Sequence, residues 1–299
     1  MSSVSTPTAA DAGRQTVSER ARRVANHGRM PLFYAITAAF LAFLVFALNE
    51  PIRFVYLAWT PGYEAFTHRV HHVMLGGLLA VVVLGIAIQL YRPVERVGAF
   101  LLSALGIGLL SAVTLIADGL AALAELAIFI VPLAILAVLH PGLRGLRSRY
   151  AGAVRDRNDR RMLALGAVAA IPLTAFAAVQ VNLHLTVADD HVLFGHYVIM
   201  AAGALTIALG ALVASFRPTG WRVLAYSVAV LAALVGVASA MFPDPAQGVN
   251  FGVVGGALVV LWAIAFVAVA EYGARNADRD GRDGLQGAES DEDDLAAGA

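Results

Sequence analysis

The 299-residue chain has no cysteine. Disulfides, thiolate metal sites, iron–sulfur clusters and thiol nucleophiles are excluded. Lysine is absent too, and all 21 basic residues are arginine. Charge is scarce: Asp, Glu, Lys and Arg make up 14% of the chain against 59% hydrophobic residues, with a mean hydropathy of +0.74. A water-soluble domain does not carry that balance, and the bilayer is the expected environment. The formal net charge of zero sums a basic middle and an acidic end, so no nucleic-acid partner is expected. All-arginine usage with a tail reading ESDEDDLAAGA is a halophile-like composition, since acidic surfaces hold water in concentrated salt. No Walker loop, Gly-rich dinucleotide fingerprint, Ser–His–Asp order or Asp-rich prenyl-diphosphate motif is present.

What is present is a series of apolar runs. Crossing the hydrocarbon takes about 20 residues, and the runs between charged breaks predict eight spans, at 31–48, 66–90, 97–117, 119–139, 162–182, 191–215, 220–242 and 250–272. Asn49, Glu50 and Pro51 are expected to end the first, which no small-residue cleavage site follows. Arginine collects before span one and between spans four and five, including Arg144, Arg147, Arg149, Arg155 and Arg157. The positive-inside rule then places both termini in the cytoplasm, with the chain multi-pass in the cell membrane. The expected fold is an all-α integral membrane protein of eight transmembrane helices in two tandem four-helix halves. Its parts are a disordered leader 1–28, a first half 29–140, a basic cytoplasmic linker 141–161, a second half 162–274 and a disordered acidic tail 275–299.

The halves resemble each other when slid by 125 residues. Glu64, His71, Gly85, Arg92 and Pro93 fall on Asp189, His196, Gly210, Arg217 and Pro218. Both copies read acid-x6-His-x13-Gly-x6-Arg-Pro, and four spans per half insert both copies the same way round. A parallel internal repeat is the expected architecture.

Six of the eight histidines crowd the predicted outer ends of spans two, five and six. From His71 to Arg92, and from His196 to Arg217, a helix rises about 31 Å, one hydrocarbon thickness. With the arginines at the inner interface, the histidines lie at the outer one. His68, His71 and His72 share one helix face by their spacing, and neutral imidazoles suit zinc, copper, iron or haem iron. His71 and His196 form the symmetric pair of metal or cofactor ligands, with His68, His72, His184 and His191 as further ligands. Glu64 and Asp189 are the acceptors that would fix the ring tautomers. His191 and His196 are five apart and diverge on a continuous helix unless ADDH is still loop. Glu125, about two turns inside span four, is a candidate intramembrane acid, with an interface-facing carboxylate as its plain alternative. Interfacial histidines also cluster for no reason beyond their amphipathic character, which is the plain alternative for the whole group.

The string His68-x-x-His71-His72 matches one histidine box of the membrane di-iron desaturases, but the further boxes of that class are absent. EAFTHR at the head of the second span, in a plan of two four-helix halves, resembles haem A synthase. The resemblance implies an eight-span haem protein with ligating histidines on the even-numbered spans. It covers the span plan and about six residues. Glu64 is one residue further from His68 than in that pattern, spans four and eight carry no internal histidine, and outer-loop cysteines are missing. The family is therefore not assigned. The leading expectation is a membrane redox protein binding haem b or a transition metal, with a quinone or other membrane subunits as partners. A proton-coupled small-molecule or ion transporter is the main alternative, and a non-catalytic assembly or sensory subunit the second.

Overall fold

The computed structural model describes the backbone of residues 9–63, 68–143, 159–244, 248 and 250–297, with side chains described between Gly28 and Asn276. Glu64 and most of the expected 141–161 linker lie outside the described residues. Regular structure among the described residues is entirely helical: α1 (Ala9–Leu57), α2 (Arg69–Ile88), α3 (Val97–Leu139), α4 (Arg160–Thr186), the single turn α5 (Asp190–Leu193), α6 (His196–Ser215), α7 (Trp221–Met241) and α8 (Gly252–Ala297). The backbone of the leader from Ala9 and of the tail to Ala297 continues α1 and α8. Seven helices are long and apolar enough to cross a membrane, Gly28–Leu57 and Gly252–Asn276 being the apolar parts of α1 and α8.

Helix α3 has 43 residues. At about 1.5 Å per residue it would reach about 65 Å, twice the hydrocarbon core. It is broken at Gly119, whose φ of 80° and ψ of −171° belong to glycine alone. The chain then folds back, so that the His140 ring lies 4.8 Å from that of Phe100, near the start of the same helix. Thus α3 is two antiparallel arms joined at Gly119, the point where the apolar runs 97–117 and 119–139 meet.

Two expected boundaries are corrected. Helix α1 does not stop at Asn49–Pro51 but runs through Pro51 to Leu57. Proline is tolerated in membrane helices where neighbours take up the freed backbone groups. Here the Arg53 guanidinium donates to Glu50 at 2.7 Å and to the Tyr56 hydroxyl at 2.9 Å, pairing the polar turn within itself. Gly76 of α2 lies so close that a Cβ on it would sit 2.6 Å from the Val55 nitrogen, docking this extension. The run 191–215 is two helices, because Gly195 takes a left-handed φ of 64° between α5 and α6.

Helices α2, α6 and α7 form the centre and are mostly buried, whereas the spans of α1 and α8 keep most of their apolar residues on the outside. Without a hydrophobic force between helices in lipid, close backbone approach drives their association. The buried face of α6 accordingly carries Ala201, Ala202, Gly203, Ala204, Ala208 and Ala211, with Met74 of α2 seated on Gly203. Large apolar side chains such as Phe46, Leu120 and Ile171 cover the outside, consistent with a lipid bilayer around the bundle.

The two ends of the bundle differ. At the arginine end the backbone itself joins distant segments: Gly98 N–H donates to Thr219 carbonyl at 2.8 Å, and Gly220 packs on the Glu95 carbonyl. Arg92 and Arg217 both take left-handed φ, 50° and 48°, and each precedes a proline. Gly85 packs on Ser103 as Gly210 packs on Val228. Two apolar cavities, about 230 and 500 Å³, lie among the helices, with Val82, Ile107 and Phe129 lining the first and Ile207, Ala232 and Val259 the second.

His140 closes the arginine end of α3. Gly142 N–H donates to its Nδ1 at 3.0 Å, so the proton is on Nε2, which donates to Gln89 Oε1 at 2.9 Å. The Gln89 amide in turn donates to the Gly85 and Arg96 carbonyls. Burial between Phe33 and Phe100 pushes the His140 ring down to about 4. Its folded value lies below the ordinary 6.5, so its stabilising share is complete above pH 6.5 and falls as pH drops toward about 4. Thermal melting in detergent should show this loss for the native chain and a smaller one for His140→Leu; equal losses would rule out His140 as the source.

Candidate metal centre

Four imidazoles converge at the opposite, histidine end. His68 caps α2 and His71 lies in its first turn, while His191 is on α5 and His196 opens α6. One ring nitrogen from each can be chosen so that all four lie within 4.8 Å of one another. The ring centroids of His68–His191, His68–His196, His71–His191 and His71–His196 are 4.4, 4.7, 4.9 and 5.1 Å apart. The Gly195 break makes this possible: it turns α5 out of line with α6, so residues five apart address one point.

The donors are in a state to bind. Both nitrogens of His71 and Nδ1 of His196 are buried with no hydrogen-bond partner. An orphaned polar nitrogen away from water is costly, and a metal ion is one way to use its lone pair. Asp189 fixes the tautomer of His191: its Oδ2 accepts from Nδ1–H at 3.2 Å, which leaves Nε2 facing His68 Nδ1 at 3.0 Å. The same Oδ2 accepts from the Tyr197 hydroxyl at 2.9 Å, and Oδ1 accepts from Val192 N–H at 3.1 Å. Burial raises the Asp189 carboxyl, but these hydrogen bonds outweigh it and hold the group below its ordinary value. Burial and the neighbouring His191 keep His68 below the ordinary histidine value, in the neutral form that ligates.

The remaining sequence candidates are placed differently. His72 stays beside the group, 5.3 Å from His196 between centroids, but its Nδ1 is hydrogen-bonded to the Tyr63 hydroxyl at 2.5 Å and its ring stacks on Phe54. His184 does not join the four; its Nε2 lies 2.6 Å from Asp118 Oδ1. Glu125 is exposed on the outside of the bundle. Residues that sequence reasoning did not single out complete the surroundings. Arg69 is buried, donates to the Ala58 carbonyl and lies over the Phe242 ring at 4.8 Å, tying α1, α2 and the end of α7 together. Gly248 covers His71, where a Cβ would sit 2.7 Å from Nε2. Arg69 had a visible signal, a charge inside the histidine string, whereas Gly248 had none.

The arrangement is that of an all-nitrogen, four-donor cage. Tetrahedral binding with metal–nitrogen bonds of about 2.0–2.1 Å needs donors about 3.3 Å apart, against a present spread of up to 4.8 Å. No protein-family model, curated protein or solved structure matches the chain.

Proposed function

We propose that the chain is an eight-span membrane redox protein of two tandem halves, holding one copper or iron ion between His68 and His71 of the first half and His191 and His196 of the second. The observation that carries the reading is the convergence of four buried or half-buried imidazoles from both halves, two of them with orphaned nitrogens. The donor chemistry narrows the ion. Carboxylates and carbonyls suit magnesium, calcium or manganese, whereas imidazoles suit copper, iron, nickel and zinc. Four protein donors leave no open position for Lewis-acid hydrolysis, which favours a held or electron-carrying ion.

Haem b is the poorer fit. Ring centroids 4.4–5.1 Å apart in four directions leave no gap for a porphyrin plane between them. Eight spans and the duplication are supported by the fold-back at Gly119 and by the paired left-handed arginines. The arginine-rich end supports cytoplasmic termini in the cell membrane, with the metal centre on the outer side. A quinone or another membrane subunit is the proposed electron partner; the apolar cavity of about 500 Å³ is within the size range of small-molecule sites. Electron paramagnetic resonance of the purified, air-oxidised protein tests the redox assignment. The expected spectrum is that of copper or iron with nitrogen hyperfine structure, lost in His71→Ala. A bound ion that proves to be zinc alone would remove the redox role and keep the site.

A further inference from the structure

Helix α4 carries a buried stripe at helical spacing: Met162, Gly166, Ala169, Leu173 and Ala177. The stripe matches Phe33, Thr37, Phe40, Leu44 and Leu48 on α1. It then continues into Gln180 and His184. Gln180 is fully buried, yet neither its amide nitrogen nor its oxygen has a partner. His184 is buried one turn further on, with Nδ1 likewise unpartnered and Nε2 on Asp118. Asp118 is 35% exposed and so reaches the surface at the histidine end.

Inside a bilayer an unsatisfied amide donor and acceptor cost several kcal/mol together. Two apolar residues would remove that cost, and none stands there. Protein groups do not supply the missing bonds, and one small molecule supplies both kinds at once. We propose that α4 carries a second polar site, filled by water, with Gln180 as its floor and the Asp118–His184 pair at its mouth. Water donates to Gln180 Oε1 and accepts from Nε2–H, and a further water reaches His184 Nδ1. The site is distinct from the four-histidine group, since His184 takes Asp118 rather than a metal as its partner.

Its depth gives it a use. Gly166 of α4 lies opposite Ala211 and Leu212 of the antiparallel α6. Moving the same distance along both helices brings Gln180 level with Tyr197 and Val198, just past the ligand His196. A hydrated site at that level gives water, and with it protons, access from the histidine end to the depth of the metal centre.

The absence of native cysteine makes the test clean. Single-cysteine variants in nanodiscs are treated with methyl methanethiosulfonate, which reacts with a thiolate, the form that water allows and dry hydrocarbon suppresses. Gln180→Cys should be labelled to completion and Ala177→Cys, one turn deeper, left unlabelled. Adding His184→Trp to Gln180→Cys should block the mouth and abolish labelling. An unreactive Gln180→Cys in a folded protein overturns the proposal, as does labelling that His184→Trp leaves unchanged. Should Gln180→Cys fail to accumulate, hydroxyl-radical labelling of the native chain reads the same water. Oxidation at Val181 and His184 above that at Leu173 supports the site, and none above Leu173 overturns it.

Discussion

Replacing His71 with Ala should abolish metal binding while leaving membrane insertion and the helical fold intact. His71 is fully buried, both its nitrogens lack partners, and its ring faces His191 and His196. Removing it deletes one donor of four and opens a void that Gly248 and Tyr197 border. Asp189→Asn gives the graded comparison. It keeps the four donors but weakens the contact that holds His191 in its ligating tautomer, and such outer contacts are worth about 10–100-fold in metal affinity. His71→Ala must therefore lose more affinity than Asp189→Asn, by isothermal titration with copper in detergent. The reverse order would remove His71 from the ligand set. Burial and the neighbouring His191 hold His68 below the ordinary histidine value, so proton competition at this ligand should set in at lower pH than for a free imidazole.

The second large effect is on stability. A ligand that binds only the folded state stabilises it by RT ln(1 + [L]/Kd), about 4 kcal/mol at a thousandfold excess over Kd. The ion is expected to act at one end of the molecule. Backbone contacts Gly98–Thr219 and Glu95–Gly220 already join the arginine end. At the histidine end the contacts run through the rings themselves, through Arg69 and Trp59 on Phe242, and through the Asp118–His184 pair. Metal should raise the melting temperature of the native chain, a chelator should reverse the rise, and His196→Ala should show neither change. An equal rise in His196→Ala would place the stabilising ion elsewhere.

Much of the fold was legible because lipid forces apolar runs of fixed length. The runs in α2, α4 and α7 lie within a few residues of the observed helix ends, and the run of α6 shares its C-terminal end but starts five residues too early. The end of α1 differs from the expected one because Asn49, Glu50 and Pro51 resemble helix-ending punctuation, while pairing between Arg53, Glu50 and Tyr56 lets the helix pass through them. The histidine cluster was legible in its residue types and in the proximity of His71 to His196. Which histidines meet was not, since it turns on a single left-handed glycine, Gly195, that sequence spacing treats as helix. His184 fell to Asp118 for a similar reason: the turn at Gly119 brings the end of a distant arm to it. Gln180 has a trace in the sequence, an amide at the sixth position of an otherwise apolar stripe.

Metal analysis by mass spectrometry, on protein purified without a polyhistidine tag, tests the central claim most directly. The native chain should carry about one copper or iron ion per molecule, the stoichiometry of one four-donor cage. A variant with His68, His71, His191 and His196 all changed to Ala should carry none. A native chain without metal after copper or iron loading, or a quadruple variant that retains the same content, would contradict the account.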